Sequence, residues 1–362
     1  MHLSQLDIFQ VRNLKNIRLS CHPQGNIIHG ANGSGKTSFL ESIHLLGRGR
    51  SFRHRDLRVV VNSDSDELVV SGALLRDRAS MSHQLGIKRT SKGLFEARLD
   101  GTPLQTSAQL ASELPLQLID AHSFMLLEGG PLQRRQFLDW GVFHVEHGYT
   151  SLWRRFQKTL KQRNQLLRHG RIDEDTMRTW TQALIPLCEK ITRYRQQYLS
   201  ALSGWLGQAA SAFDGLGQVS LEYYCGWDEG RSLADVYAAD RDRDIATKTT
   251  SHGAHRADIR IKVDGQNAAD HLSRGQTKLL VYALKLAQAS HFREYAGESC
   301  LFLLDDLPAE LDYQHRGQVI AYLNDLGCQY FITGVDKQDF SGLVQTVPHQ
   351  MFHMEHGVAL VD

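Results

Sequence analysis

Paired cysteine, long apolar runs and an excess of either charge are all missing from this sequence. Its five cysteines, Cys21, Cys188, Cys225, Cys300 and Cys328, are odd in number, widely spaced and without a C-x-x-C pair. That excludes a disulfide framework and a cysteine zinc site and leaves buried, reduced thiols. No stretch approaches the ~18 uninterrupted apolar residues of a membrane span, and the opening MHLSQLDIFQV lacks the basic and apolar regions of a signal peptide. A cytoplasmic protein with no membrane partner is expected. Lys and Arg number 41 against 40 Asp and Glu, a formal charge of +1, so a uniformly basic nucleic-acid binder is excluded and any polyanion surface must be local. The 18 histidines contain no H-E-x-x-H spacing and read as solvated or satisfied side chains.

What is present begins with length. At 362 residues and 41% apolar, the chain can bury a full core in one large domain with an elaborated insertion. Short alternating runs at residues 2–9 and 15–19 precede an apolar strand at 26–29. A helix at 36–46 follows, with Phe39, Leu40, Ile43 and Leu46 at helical spacing and Gly47 placed to end it. Strand-like runs lie at 68–75, 83–88 and 94–99, the last closed by Asp100-Gly101.

Three helical patterns then follow one another, at 131–146, 149–169 and 174–209. Met177, Trp180, Leu184, Leu187, Ile191, Tyr194 and Tyr198 form the seam of a helical hairpin, and Pro186 is expected to break the last helix in two. Mixed structure returns with strands at 219–225 and 258–263 around a polar helix at 232–245. An α/β rhythm closes the chain: helices at 273–291 and 313–326, strands at 301–304 and 329–333. The domain boundaries this implies are 1–112, 113–210 and 211–362, the first and last forming one domain around a helical insertion.

Residues 30–37 read GANGSGKT and satisfy G-x-x-x-x-G-K-S/T between an apolar strand and a helix. The backbone of Gly30, Ala31, Asn32, Gly33, Ser34 and Gly35, with the helix start at Ser38, forms a cradle for phosphate. Lys36 is the cation for the β- and γ-phosphates of ATP, and Thr37 is a ligand for Mg2+. Leu301 to Leu304 run into Asp305 and Asp306, which places Asp305 on the metal and Asp306 where it orients or deprotonates the attacking water. The short arm of an aspartate at that place favours slow turnover.

Ser273, Arg274, Gly275 and Gln276 open a helix. Ser followed three residues later by Gln is an ordinary capping box, yet S-x-G-Q before a Walker-B-like strand is also the loop that binds the γ-phosphate of a nucleotide held by a second protomer. The two readings are compatible. Two basic tracks complete the inventory: Arg48, Arg50, Arg53, Arg55 and Arg58 after the P-loop helix, and Arg154, Lys158, Lys161 and Arg168 opposite Leu152, Phe156, Leu160 and Leu167. Each is either a solvated face or a DNA phosphate track, and Arg163 breaks the division in the second.

These features together resemble the RecF family of SMC-like ABC ATPases. The resemblance covers essentially the whole chain and rests on Phe9-x-x-Arg12-Asn13, the P-loop, Gly129-Gly130-Pro131 with Arg134-Arg135 and Phe137-Leu138-Asp139-Trp140, and His255-Arg256-x-Asp258. It rests also on the signature at Leu272 to Gln276 and on LLDD followed by the D-loop-like Ala309-Glu310-Leu311-Asp312. The resemblance implies an α/β, ABC-type P-loop ATPase head of the SMC kind with an inserted helical lobe, and an ATP-dependent homodimer. It implies weak, DNA-stimulated ATP hydrolysis and binding to double-stranded and gapped DNA. Its implied partners are RecR, RecO and RecA, with loading of RecA in gap repair and replication restart as the outcome. The chain departs from the family at His122-Ser123, where a Pro-Glu pair is usual, and at Thr333-Gly334, where transporter ATPases place a switch histidine. The competing readings are the ATPase subunit of an ABC transporter, a P-loop kinase and a non-catalytic scaffold.

Overall fold

The computed structural model describes residues 1–76, 81–168, 173–344 and 348–362. Their contacts divide into two units, Met1–Ser123 with Lys278–Asp362, and Phe124–Thr277. The first unit opens with β1 (His2–Val11), β2 (Leu14–Ser20), β3 (Gly25–His29) and the helix Lys36–Arg48, then β4 (Glu67–Leu75), β5 (Ser82–Thr90), β6 (Phe95–Leu99), β7 (Thr102–Pro103) and β8 (Leu116–Ile119). Strands β2-β1-β4-β5-β6-β7 form an antiparallel sheet. Alternate residues Leu6, Ile8, Leu68, Val70, Leu85 and Ile87 join Phe39, Ile43 and Leu46 of the helix in one core, as a period of two on a half-buried sheet requires.

The helix runs past Gly47, where the sequence placed its end. A Cβ at Gly47 would lie 2.4 Å from Leu116 Cδ2, so this glycine permits close packing. Termination falls to Gly49, left-handed at φ 64, whose N–H donates to Leu45 O at 2.8 Å.

The second unit carries helices Pro131–Val145, Tyr149–Arg168 and Glu174–Ser211; residue 169 of the expected second helix lies outside the described residues. Leu184, Leu187, Ile191 and Tyr198 are buried along the predicted seam. Contrary to the expected break, the third helix continues through Pro186. Pro186 and Gln182 are both exposed, so water can satisfy the carbonyl that proline leaves without a donor. The expected polar helix at 232–245 is two short ones, Leu233–Ala239 and Arg241–Thr247, divided at Asp240. Strands β9 (Val219–Tyr224), β10 (Asp258–Val263) and β11 (Gln266–Asn267) make a small antiparallel sheet in the order β11-β10-β9. Because β9 packs on the long helix and β10 on Pro131–Val145, this sheet groups with the helices. The divisions therefore fall after Ser123 and Thr277, whereas the sequence placed them after 112 and 210.

Back in the first unit, β12 (Leu301–Leu304), β13 (Tyr330–Gly334), β14 (His349–Glu355) and β15 (Val358–Val361) complete a second sheet, ordered β15-β14-β3-β13-β12-β8. Strands β14, β3, β13, β12 and β8 are parallel. Every residue of β3, β12 and β13 is buried, as central strands of a parallel sheet require, and β12 reads as a continuous apolar run. Their carboxyl ends deliver Gly30, Asp305 and Thr333 to one edge, the end at which open parallel sheets bind ligands.

Candidate functional site

At that edge a cleft of about 560 Å³ opens over the glycine loop. Asn32, Gly33, Gly35, Lys36, Thr37 and Ser38 form its floor, with Asp305 and Asp306 facing them. Lys36 Nζ donates to Gly30 O at 2.6 Å and Ala31 O at 3.0 Å. Burial lowers the Lys36 pKa, while Asp306 and Asp305 oppose the shift. Ser34 Oγ is buried and has no hydrogen-bond partner among the described residues.

Register explains how the two acids reach the floor. Leu304 pairs with Ile119 on one side and Ile332 on the other, so Asp305 leaves the sheet beside Thr333. Asp305 N donates to Ile119 O at 2.9 Å. Its Oδ1 accepts from Thr333 Oγ1 at 2.7 Å and Thr37 Oγ1 at 3.3 Å. Burial raises the Asp305 pKa, with Asp120 and Asp306 adding to the shift and the two threonine hydroxyls opposing it. Asp306 turns away in a left-handed conformation, φ 54, and its N–H donates to Thr333 Oγ1 at 2.7 Å. Thr333 thus holds the Asp305 carboxylate and the Asp306 backbone, a role the local sequence did not reveal.

The cleft also gathers residues that had been read differently. Arg12 and Asn13, noted only as part of the Phe9 motif, line it, as do Ala121 and Glu310. Arg53, assigned to a DNA track, lines it too. The reason is local: fully buried Glu41 on the P-loop helix accepts from Arg12 Nη2 at 2.9 Å and from the Ser51 hydroxyl. Ser51 Oγ in turn accepts the N–H groups of Arg53 and His54, both at 3.0 Å, which holds that turn against the helix. Arg48 is half-buried, and burial, with Arg50 adding, pulls its pKa down to about 10. Arg50 and Arg55 are exposed, and Arg58 pairs with Asp56 at 2.7 Å.

In the second unit, Arg154, Lys158, Lys161 and Arg168 are exposed opposite buried Leu152, Phe156, Leu160 and Leu167. None of the four is in an ion pair among the described residues. Arg163, which broke that division, points inward: Nη1 donates to Asp244 at 2.7 Å and to Thr250 Oγ1 at 2.7 Å.

The signature loop also lies in the second unit. Ser273 N donates to Gln276 Oε1 at 3.1 Å, and Gln276 N donates to Ser273 Oγ at 3.3 Å. That is the capping box anticipated from sequence. Ser273 and Gly275 are exposed, and nothing lies within 4 Å of a Cβ built on Gly275. The loop can therefore meet an outside ligand backbone-first. The donor chemistry suits a magnesium nucleotide. A hydroxyl and a carboxylate 3.3 Å apart are hard oxygen ligands for Mg2+, and the orphaned Ser34 hydroxyl lies in the loop itself. Among the described residues no cluster of three or more His, Cys, Asp or Glu could hold a metal ion. No described helix is long and apolar enough to cross a membrane.

The family model for the RecF/RecN/SMC N terminal domain matches residues 2–359. Proteins named DNA replication and repair protein RecF from Pseudomonas paraeruginosa (strain DSM 24068 / PA7) and Stutzerimonas stutzeri (strain A1501) are each 46% identical to the chain. The alignments cover 99% of this chain and 97% and 96% of those proteins. Among solved structures, the recombination mediator protein RecF-ATP in the RecFOR pathway matches with TM-score 0.87 at 24% identity, covering 100% of this chain and 97% of that one. An Smc head bound to the C-winged helix domain of ScpA matches with TM-score 0.61 at 12% identity, covering 100% and 97%. The fold is therefore the SMC-type α/β head expected from the motifs.

Proposed function

The chain belongs to the RecF/RecN/SMC N-terminal domain family, its relatives there being RecF DNA replication and repair proteins, and on that premise we propose that it is an ATP-gated DNA clamp. Two protomers associate head to tail, each supplying a P-loop to one nucleotide and a signature loop to the other. The observation that carries this reading is the division of labour in the structure. Lys36, Thr37, Asp305 and Asp306 share one cleft, while Ser273 and Gly275 of the signature loop stand exposed in the other unit, with open space around Gly275. The relative crystallised as RecF-ATP supports the choice of nucleotide.

In this reading Lys36 leaves the Gly30 and Ala31 carbonyls for the β- and γ-phosphates, and Gly35 and the helix N-terminus donate to them. Thr37 and Asp305 would hold Mg2+, which supplies charge neutralisation when bound. Asp306, held by Thr333, orients the attacking water. Its short arm makes hydrolysis slow, so turnover times release rather than driving metabolism. Arg53 and Arg12 lie in the cleft to meet nucleotide charge, and Arg154, Lys158 and Lys161 meet DNA phosphates. The partners in this scheme are duplex and gapped DNA, then RecR, RecO and RecA, at gaps awaiting repair. A transporter ATPase subunit is disfavoured by the exposed basic helix face, and a kinase has no use for the exposed S-x-G-Q loop.

The test is sedimentation of the protein with ATP, with and without gapped duplex DNA. ATP should convert monomer to dimer, and DNA should stabilise the dimer further. A monomer in all conditions at saturating ATP would end this reading.

A further inference from the structure

The C-terminal hairpin of the first unit has no role in the mechanism above, yet it touches the P-loop. Strands β14 and β15 pair Glu355 with Val358 and leave a two-residue turn, His356 and Gly357, at φ 47 and φ 79. Two consecutive positive φ values are the signature of a type I′ turn. Strand β14 runs parallel to β3 up to the pair His353 and His29, immediately before the loop, and the two histidine rings stack at 5.0 Å. Asp362, just beyond β15, meets His29 Nε2 at 2.7 Å.

At the tip, Gly357 N donates to Ser34 O at 3.0 Å. A Cβ built on Gly357 would lie 2.1 Å from Asn13 O, and one on Gly30 would lie 2.2 Å from Met354 O. Only glycine at both places allows this approach. Asn13 grips the same loop from the β1–β2 turn, donating to Gly33 O at 3.3 Å and accepting from Ser38 Oγ at 2.9 Å.

The physical consequence follows from peptide planarity. In a trans peptide the C=O and the next N–H point to opposite sides. A donor that holds Ser34 C=O outward therefore holds Gly35 N–H inward, towards the cleft that Gly35 lines. We propose that the hairpin tip is a positioning element of the nucleotide site: the Gly357 amide sets the Ser34–Gly35 peptide plane so that Gly35 N–H is aimed at phosphate before the nucleotide arrives. This rests on the reading of the cleft as an ATP site.

Four variants and one measurement on the unaltered protein test it. Gly357→Ala strains a left-handed position and collides with Asn13. Insertion of one glycine after Gly357 keeps both strands but carries the amide away from Ser34. Both should raise the ATP Kd about tenfold, equivalent to about 1.4 kcal/mol, with the unliganded Tm of the insertion variant little changed. His356→Asn, which suits the same turn, should leave the Kd alone. Coupling is reciprocal, so ATP should in turn slow hydrogen exchange of the Gly357 amide about tenfold in the full chain. An unchanged Kd in the folded insertion variant, or a Gly357 exchange rate indifferent to ATP, overturns the proposal. Lys36→Ala separates the two claims: if it binds ATP as the unaltered protein does, the ATP-site reading falls as well. If it binds weakly while the hairpin variants bind normally, the hairpin alone loses its role.

Discussion

Replacing Thr333 by valine changes one buried hydroxyl for a methyl group and removes two interactions at once. Asp305 loses the 2.7 Å donor on Oδ1, and Asp306 N–H loses its acceptor. A hydrogen bond to a charged group contributes about 1.5–3 kcal/mol, so its loss should push the Asp305 pKa further up. The direction is fixed by the structure: burial already raises this pKa, and the threonine hydroxyls are what hold it down. Only ionised Asp305 can ligate Mg2+. Magnesium-dependent ATP affinity should therefore decay as pH falls through the raised pKa, and the decay should begin at higher pH in Thr333→Val. Stability follows the same sign. With the folded pKa above the unfolded value, the contribution favouring the folded state is full below the unfolded pKa and is lost as pH rises through the folded one. The substitution should accordingly cost more at neutral pH than in mild acid. Calorimetric titration of ATP across pH, with and without magnesium, reads both sides. Identical acid limbs for the two proteins, or a shift that persists without magnesium, would refute the assignment of Asp305.

Lys36→Ala should weaken ATP binding by on the order of 100-fold, the loss of about 2.7 kcal/mol, measured with a fluorescent ATP analogue; full affinity would remove Lys36 from the phosphates. Breaking the buried Arg163–Asp244 pair with Asp244→Asn should cost about 3–5 kcal/mol in urea unfolding, and a loss under 1 kcal/mol would show the site is wetter than its burial implies. Changing Arg154, Lys158 and Lys161 together to glutamine should reduce the salt slope of DNA binding by up to ~3, and an unchanged slope takes that helix off the DNA surface. Gly49→Ala should destabilise by about 1 kcal/mol through its left-handed φ of 64, and a neutral result would mean the helix end readjusts.

The parts of the site that were legible are those whose chemistry is written in consecutive residues. Lys36 and Thr37 follow the glycines that build their loop, and Asp305 and Asp306 end an apolar run, so strand, turn and ligand are all local. Thr333 was noted only as the place where a histidine was missing. Its role depends on β13 lying beside β12, and register between strands remote in sequence leaves no local pattern. The signal was nonetheless there, in a polar residue at the carboxyl end of an apolar strand. Strand β14 went unseen because His349, Gln350 and His353 interrupt its apolar residues, although it is parallel to β3 and half-inside the sheet. Arg53 was counted with its charged neighbours since charge is all a sequence shows of an arginine; the Glu41 and Ser51 contacts that turn it into the cleft are tertiary. Arg163 is the converse case. Its break in the amphipathic pattern was visible, and its cause, Asp244 some 80 residues later, was not. Pro186 shows a local rule overridden, because Pro186 and Gln182 are both exposed and water can satisfy the carbonyl left without a donor.

The central claim is that one nucleotide is shared by two protomers, with Lys36 on one side and Ser273 on the other. Ser273→Arg places a bulky side chain at the exposed signature loop while leaving the P-loop cleft of the same chain untouched. The decisive measurement is sedimentation of this variant at saturating ATP, alongside its ATP Kd. The expected result is normal ATP binding by a protein that stays monomeric; ATP-induced dimers of normal affinity would contradict the shared site.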